Sequence, residues 1–424
     1  MTLLLLFVCV SGVFALQLVV STFVVIRQAK RAEQEGQRLL RLNAKPPPIV
    51  VVNGESRSAW QGLRQFRVTR REFEDRAHTQ CSFYLQPVDA QPLPPYSAGQ
   101  YLTFQLPASQ LPHARKPAGA ALTRCYSLSD APNAASYRVT IKRALPPASD
   151  PTLPSGLVST YFLDRVREGD VIDVGAPAGR FCIDPASHVP VVLIAGGIGI
   201  TPLLSMLEWC CATQPTRIVH LFYGVRNGLE HAFAARIAAL DQLNKNVRVH
   251  NVYAAPVADD TASRAYERAG YITIDLLERT LPAARYEFYV CGPSQMMESL
   301  VPAIAAWGVP LADIHFEAFG PATVRLGDAR VPLSAQASGT VFSIKFRQSN
   351  RTIAWDGRDE SLLEFAERRG IVIDAGCRTG SCGSCQTVLA SGDVRYANPP
   401  DFVIETGCCL PCVAVPISSL VLEA

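Results

Sequence analysis

Hydrophobic and polar positions change rhythm along the chain. Residues 2–26 are 25 consecutive uncharged positions rich in Leu, Val and Phe. As a helix this stretch would be about 37 Å long, enough to cross a bilayer. It lacks the positive start, shorter apolar core and small-residue cleavage site of a secretory signal, which predicts an uncleaved transmembrane helix at 1–26. Arg27, Lys30, Arg31, Arg38, Arg41 and Lys45 follow, so the positive-inside rule puts the remainder on the cytoplasmic side. The expectation is a single-pass protein of the inner (cytoplasmic) membrane, anchored in the bilayer by its N-terminal helix. Lys45-Pro46-Pro47-Pro48 stops any helical continuation, and 27–60 reads as a basic, Pro-rich linker.

Beyond the linker the period shortens. Residues 61–186 alternate short apolar stretches (Phe83-Tyr84-Leu85, Tyr101-Leu102-Thr103-Phe104, Tyr137-Arg138-Val139-Thr140-Ile141) with Pro and Gly turns, the pattern of an antiparallel barrel or sandwich. At 187–321 longer apolar runs (189–195, 217–223 and 286–290) alternate with helical stretches at 203–211 and 231–243. This predicts βαβ units around a parallel sheet. A linker at 322–337 leads into a third unit at 338–424.

Composition narrows the class. Lys and Arg number 40 against 37 Asp and Glu, a formal charge of +3 over 424 residues. No basic run is studded with aromatics, so no nucleic-acid partner is expected. Of 13 cysteines, Cys377, Cys382, Cys385, Cys408, Cys409 and Cys412 crowd into one stretch. A disulfide framework would spread them; clustering points to metal ligation in a reducing compartment.

Cys377, Cys382 and Cys385 are spaced C-x4-C-x2-C, and Cys412 lies 27 residues further on, the ligand pattern of a plant-type [2Fe-2S] ferredoxin. A loop wrapping a cluster must turn tightly and aim backbone N–H groups at sulfur, which Gly376, Gly380 and Gly383 permit. Zinc cysteines more often come as CxxC pairs on two knuckles. Near the fourth ligand, Gly407-Cys408-Cys409-Leu410-Pro411-Cys412 offers three candidates.

Two further motifs suit nucleotides. The apolar run 189–195 enters Gly196-Gly197-Ile198-Gly199-Ile200-Thr201-Pro202 ahead of a helical stretch, a junction where a pyrophosphate can approach backbone at a helix's positive end. Thr201 suits the N-cap and Pro202 the first helical position, although a Gly-rich turn can also be only a tight connection. Tyr289-Val290-Cys291-Gly292-Pro293 ends another strand facing the same crevice. In Arg124-Cys125-Tyr126-Ser127-Leu128, an extended strand puts Arg124 and Tyr126 on one face. A cation, a ring and a hydroxyl together suit a flavin; an ordinary barrel strand has the same periodicity.

Residues 61–321 resemble the ferredoxin-reductase family of flavoproteins through five motifs in order: R-x-Y-S-L, Gly156-Leu157-Val158-Ser159, G-G-I-G-I-T-P, C-G-P, and Phe316-Glu317-Ala318-Phe319-Gly320-Pro321. The resemblance implies that Arg124 binds a flavin phosphate, Tyr126 packs on the isoalloxazine, Ser127 lies near N5, and Leu128 completes the motif. It implies that Gly156, Val158 and Ser159 hold phosphate, and that Gly197, Gly199 and Thr201 receive the nicotinamide dinucleotide. Cys291 would sit near the nicotinamide, with Glu317 and Phe319 on the opposite flavin face; Ser127, Cys291 and Glu317 are the catalytic candidates. Cys412 is favoured as fourth ligand because its surroundings resemble the family's G-x-x-L-x-C pattern. The 61–321 half is similar to the reductase portion of flavohaemoglobins, which hold FAD.

With its C-terminal unit the chain resembles hybrid oxygenase reductases of the phthalate dioxygenase reductase kind, some of which use FMN. With the N-terminal transmembrane helix read from its apolar run, which is unusual for such reductases, the expected fold is multidomain: a transmembrane helix, an antiparallel β-barrel flavin domain, an α/β parallel-sheet nucleotide domain and a β-grasp (α+β) ferredoxin domain. The implied activity is NAD(P)H-dependent electron transfer through flavin, FAD rather than FMN, to a [2Fe-2S] cluster. From there electrons would pass to a one-electron acceptor protein, an oxygenase or a membrane-associated redox protein. NADH is favoured over NADPH, since Arg226 on a surface loop is weak evidence for a 2'-phosphate site. A quinone reductase-like subunit and a membrane-tethered redox sensor are the competing expectations.

Overall fold

The computed structural model describes residues 59–60, 62–111, 121–133, 135–146, 155–263, 265–319, 342–357, 361–378, 380, 382–396, 400 and 402–424. The expected anchor at 1–26 lies outside them. Among the described residues no helix is long and apolar enough to cross a membrane. The longest, residues Ile200–Thr213, has 14 residues, about 21 Å against a hydrocarbon core of about 30 Å, and its apolar side chains are buried against a sheet. The transmembrane element of the expected fold is corrected accordingly. The single-pass membrane placement and the bilayer as a partner, both built on that element, are withdrawn with it.

Six antiparallel strands form the first sheet: β1 (Leu63–Phe73), β2 (Gln80–Pro87), β3 (Tyr101–Pro107), β4 (Ala121–Ser127), β5 (Tyr137–Lys142) and β6 (Val171–Ala178). Their order is β4-β3-β6-β1-β2-β5, and a bridge between Leu128 and Val139 joins the two ends into a barrel. Alternation decides the inside: Phe66, Val68, Phe83, Leu85, Leu102, Phe104 and Leu106 all face the core. Helix α1 (Leu157–Asp164) closes one end. Its Phe162 meets the rings of Phe83, Phe104 and Tyr126 edge-on, at centroid separations of 5.4, 5.4 and 5.6 Å.

The second sheet is wholly parallel: β7 (Val191–Gly196), β8 (Val219–Val225), β9 (Val247–Tyr253), β10 (Arg268–Ala269), β11 (Glu287–Gly292) and β12 (Ile314–Ala318). Helices α2 (Ile200–Thr213), α3 (Ala234–Leu243), α4 (Ala258–Ser263), α5 (Ile274–Thr280) and α6 (Ser294–Ala306) accompany it. One core cluster includes α2 and α3, and a second, on other residues of the same strands, includes α5 and α6. Every residue of β7 is therefore buried, because a strand covered on both faces shows no alternation. The order β10-β9-β8-β7-β11-β12 reverses direction at β7, leaving a crevice beyond the carboxyl ends of β7 and β11.

The third region holds β13 (Ser343–Phe346), β14 (Arg351–Ala354), β15 (Thr387–Ser391), β16 (Val394–Tyr396), β17 (Cys408–Cys409), β18 (Ala414–Pro416) and β19 (Leu420–Leu422). Five of them make a mixed sheet ordered β14-β13-β19-β15-β17, while β16 and β18 pair separately. Helix α7 (Leu362–Arg368) starts at Ser361, whose side chain accepts from the Glu364 amide, and buries Leu362, Leu363, Phe365 and Ala366. One helix against a mixed sheet is the β-grasp arrangement expected. Cys409 is fully buried in this core.

Because Phe162 is fully buried among three aromatic rings, Phe162→Ala is expected to cost about 3–5 kcal/mol through the cavity it leaves. Urea unfolding followed by fluorescence measures this.

Candidate redox site

The crevice is built by two loops that almost touch. Gly197–Gly199 form a single 3-10 turn at the end of β7, with Gly197 in the left-handed region at φ +53°. A Cβ on Gly199 would collide with the Cys291 carbonyl and stand 2.8 Å from the Gly292 amide. Only glycine lets the strand-to-helix turn pass this close to the second loop. Helix α2 then begins at Ile200, with Gly199 in the cap position. This corrects the expectation that Thr201 caps the helix: the 3-10 turn starts the winding early, and Thr201 donates its hydroxyl to the Ile198 carbonyl at 3.0 Å.

Lys142 of β5 reaches from the barrel toward this turn. Its Nζ would be 4.0 Å from a Cβ on Gly197 and is 2.9 Å from Glu230 Oε2. Arg226 is 3.9 Å from the other Glu230 oxygen and largely exposed. The turn, the lysine and the amide end of α2 together form a cradle suited to a pyrophosphate.

Cys291 is fully buried and pairs in register with Glu317 on the neighbouring strand β12. Burial pushes its thiol well up, with the Glu317 charge acting the same way. Glu317 Oε2 is buried and has no hydrogen-bond partner. Burial, aided by the charge of Cys377, raises its carboxyl to about 8, so it holds a proton at neutral pH. Phe319 is partly exposed.

The barrel candidates differ in burial. Arg124 is exposed, with Nη1 on the Thr123 carbonyl at 2.7 Å. Tyr126 turns inward against Phe104 and Phe162, and Leu128 is a core residue whose amide donates to the Gln100 carbonyl. Ser127 is nearly buried and opposite Tyr101 in register. At α1, no side chain caps the N-terminus, which starts at Gly156. Ser159 donates to the Gly156 carbonyl at 3.0 Å and accepts from the Ala144 amide at 3.1 Å. Its hydroxyl thus braces the turn, while the Val158 side chain is in the core. Amides of an uncapped first turn suit phosphate. An inward ring, an uncapped helix start and an orphaned buried carboxyl oxygen fit a flavin at this end of the barrel.

The four cysteines gather around one loop. Cys382 accepts from the Cys377 amide at 3.3 Å and Cys385 neighbours Cys412. Among the described residues no group of three or more His, Cys, Asp and Glu could hold a single metal ion. Four neighbouring thiols would instead hold a [2Fe-2S] cluster, and a backbone N–H on sulfur is what such a loop supplies.

Sequence reasoning missed the barrel's contact with this loop. Tyr101 and Cys125, on the outer face of β3 and β4, stand beside Cys377 and Cys382 respectively. Tyr101 is only 3% exposed, although strand alternation alone would leave that face to solvent. Nothing local in Gly-Gln-Tyr or Arg-Cys-Tyr announces such a contact. Lys142 was missed for the same reason.

Comparison with known proteins agrees with this geometry. An oxidoreductase NAD-binding domain matches residues 193–301, and a 2Fe-2S iron-sulfur cluster binding domain matches residues 344–416. A flavohemoprotein of Rhodopirellula baltica is 36% identical over 263 residues, 62% of each chain. The flavohaem-like FAD/NAD binding domain of nitric oxide dioxygenase from Vibrio cholerae is 32% identical with a TM-score of 0.52. That match covers 62% of this chain and all of that one. A cytochrome P450 reductase from Amycolatopsis is 25% identical with a TM-score of 0.51, over 65% of this chain and 74% of that one. The chain spans about 62% of the length of the curated relatives it matches.

Fold and site define an oxidoreductase chain that joins an NAD-binding domain to a 2Fe-2S cluster binding domain. The chain belongs to the ferredoxin-reductase family, with a 2Fe-2S domain on the C-terminal side of its NAD-binding domain. Flavin, nicotinamide dinucleotide and [2Fe-2S] cluster, the cofactors expected from the sequence, are those of this family.

Gly199→Ala, which drives a methyl into backbone, is expected to cost about 2 kcal/mol or more and to raise the NADH concentration needed for half-maximal flavin reduction; thermal unfolding and initial rates measure both. Glu317 gives a pH signature. Its folded value of about 8 exceeds the usual 4.5, so its contribution to stability is complete at low pH and lost as pH rises through 8. Glu317→Gln should flatten the fall of Tm between pH 5 and 9, and parallel Tm curves would refute the assignment.

Proposed function

We propose that the chain passes electrons from NADH, in preference to NADPH, through FAD to a [2Fe-2S] cluster and on to a one-electron acceptor protein of oxygenase type. The observation that carries this reading is the contact of Cys377 and Cys382 with Tyr101 and Cys125, on the same strands that carry Arg124, Tyr126 and Ser127. When bound, the flavin accepts the two electrons of a hydride, and the cluster relays them singly.

The residues then have distinct tasks. Gly197, Gly199 and Thr201, with Lys142, hold the dinucleotide pyrophosphate, and Glu230 beside Arg226 leaves little welcome for a 2'-phosphate. Cys291 lines the nicotinamide side. Arg124 binds flavin phosphate, the first turn at Gly156, Val158 and Ser159 donates amides to it, and Tyr126 gives a stacking ring. Leu128 holds the strand end in register, and Phe319 covers the far flavin face. Ser127 would lie near N5, and Glu317, whose carboxyl burial raises to about 8, would line the opposite flavin face and could hold a proton there. Cys377, Cys382, Cys385 and Cys412 would hold the cluster, with Cys377 and Cys382 on the side of the loop that meets the barrel. The domain limits 61–186, 187–321 and 338–424 are part of the same proposal. Likeness to a cytochrome P450 reductase supports an oxygenase-type acceptor.

An anaerobic titration with NADH, then NADPH, followed by visible absorbance and low-temperature EPR on the same sample, tests the route. Flavin bleaching with a [2Fe-2S] signal is expected, more readily with NADH, and Cys382→Ser should abolish the signal while bleaching persists. Bleaching without a cluster signal in the unmodified protein would defeat the proposal.

A further inference from the structure

The barrel and the parallel sheet meet across a largely buried cluster of four ionisable side chains, in which burial pushes the Glu208 carboxyl up to about 7 against the pull of Arg236. Asp130 follows β4, three residues after Ser127, and Arg138 lies on β5. Glu208 lies on α2, the helix that grows from the glycine turn, and Arg236 lies in the first turn of α3. The Arg236 guanidinium is forked between the two acids: Nη2 is 2.8 Å from Asp130 Oδ1, and Nε donates to Glu208 Oε1. Arg138 has no exposed side-chain surface and is 3.9 Å from the same Asp130 oxygen.

Each acid is gripped from both sides of the boundary. Glu208 Oε2 accepts from the Ala131 amide of the barrel at 3.0 Å. The Asp130 carbonyl accepts from Ser205 of α2 at 2.6 Å and from Tyr96 at 2.7 Å. Burial works against the Asp130 charge, but Arg138 and Arg236 outweigh it and hold the carboxyl at about 2.

Apolar side chains would join two domains with less desolvation cost, but they let surfaces slide. A planar fork shared by two carboxylates fixes distance and angle together. Hydride transfer needs its two rings about 3–3.5 Å apart, and a 1 Å error costs about 100-fold.

We propose that Arg236 is a positioning residue for hydride transfer: by locking Asp130 to Glu208 it sets the separation between the strand carrying Ser127 and the helix that follows Gly199. This rests on the reading that the flavin borders Ser127 and the nucleotide occupies the glycine turn. Arg236 touches neither ligand and acts through the two acids.

The test is anaerobic rapid mixing of the flavin-loaded full chain with NADH, comparing wild type, Arg236→Met and Arg236→Lys. Limiting rate, half-saturating NADH and the long-wavelength charge-transfer absorbance are read together. For Arg236→Met the limiting rate should fall by about 10–100-fold, with half-saturation within about twofold, flavin content unchanged and weaker charge-transfer absorbance. Arg236→Lys should recover part of the rate, since it restores charge without the fork. Glu208→Gln keeps the shape and serves if Arg236→Met does not fold; a smaller loss of limiting rate at unchanged half-saturation is expected. The proposal is overturned by a limiting rate within about twofold of wild type, or by rate loss that merely follows flavin loss. A wild type that NADH does not bleach would instead defeat the underlying reading.

Discussion

Everything in the redox site hangs on the near-contact of two backbones at Gly199. The turn after β7 and the turn after β11 share one crevice only because no Cβ stands between Gly199 and the Cys291–Gly292 peptide. That approach brings the amide end of α2 beside Cys291 and, one strand over, Glu317. The parallel sheet beneath cannot yield, since β7 and β11 are buried on both faces. Backbone geometry thus sets where a dinucleotide can lie before any side chain contributes.

The barrel is held against this crevice by polar contacts as well as by apolar packing of Ala98, Phe181 and Ile183 into the core of the parallel sheet. The β1–β2 hairpin meets the segment after β8 through backbone bonds from Ala77 to Leu229 and from Phe233 to Glu74, and Gln80 donates to the Glu230 carbonyl. Phe233 sits at φ +58°, strained for a bulky residue, under the Arg138 guanidinium at 5.0 Å. With Arg236 between Asp130 and Glu208, such contacts are directional. They specify one relative placement of the two halves of the proposed hydride-transfer site, which apolar packing alone would leave freer to shear.

On the other side of the barrel, the cysteine loop is seated against β3 and β4. The strands that turn Tyr126 inward toward α1 present Tyr101 and Cys125 outward to Cys377 and Cys382. Period-two alternation thus gives each strand two jobs: one face packs the barrel beside the proposed flavin position, the other meets the cysteine loop. The two proposed redox centres would then be neighbours without a separate bridging element.

Much of this was legible in the chain. The C-x4-C-x2-C spacing, the glycine turn after an apolar run and the shift from alternating to continuous apolar strands are local signals, because each reflects a constraint acting within a few residues. The apolar N-terminal run was also a local signal, but what it predicted found no support in any described helix. The cap at Thr201 failed for a local reason as well, since a 3-10 turn and an α-helical start share the same residue preferences. Tertiary structure alone decided which distant residues meet: Lys142 with the glycine turn, Tyr101 and Cys125 with the cysteine loop, and Arg236 with acids contributed by two different sheets' neighbours. A single sequence records the chemistry of each residue but not its partner across a hundred positions, because that pairing is settled by how twisted sheets and helices pack.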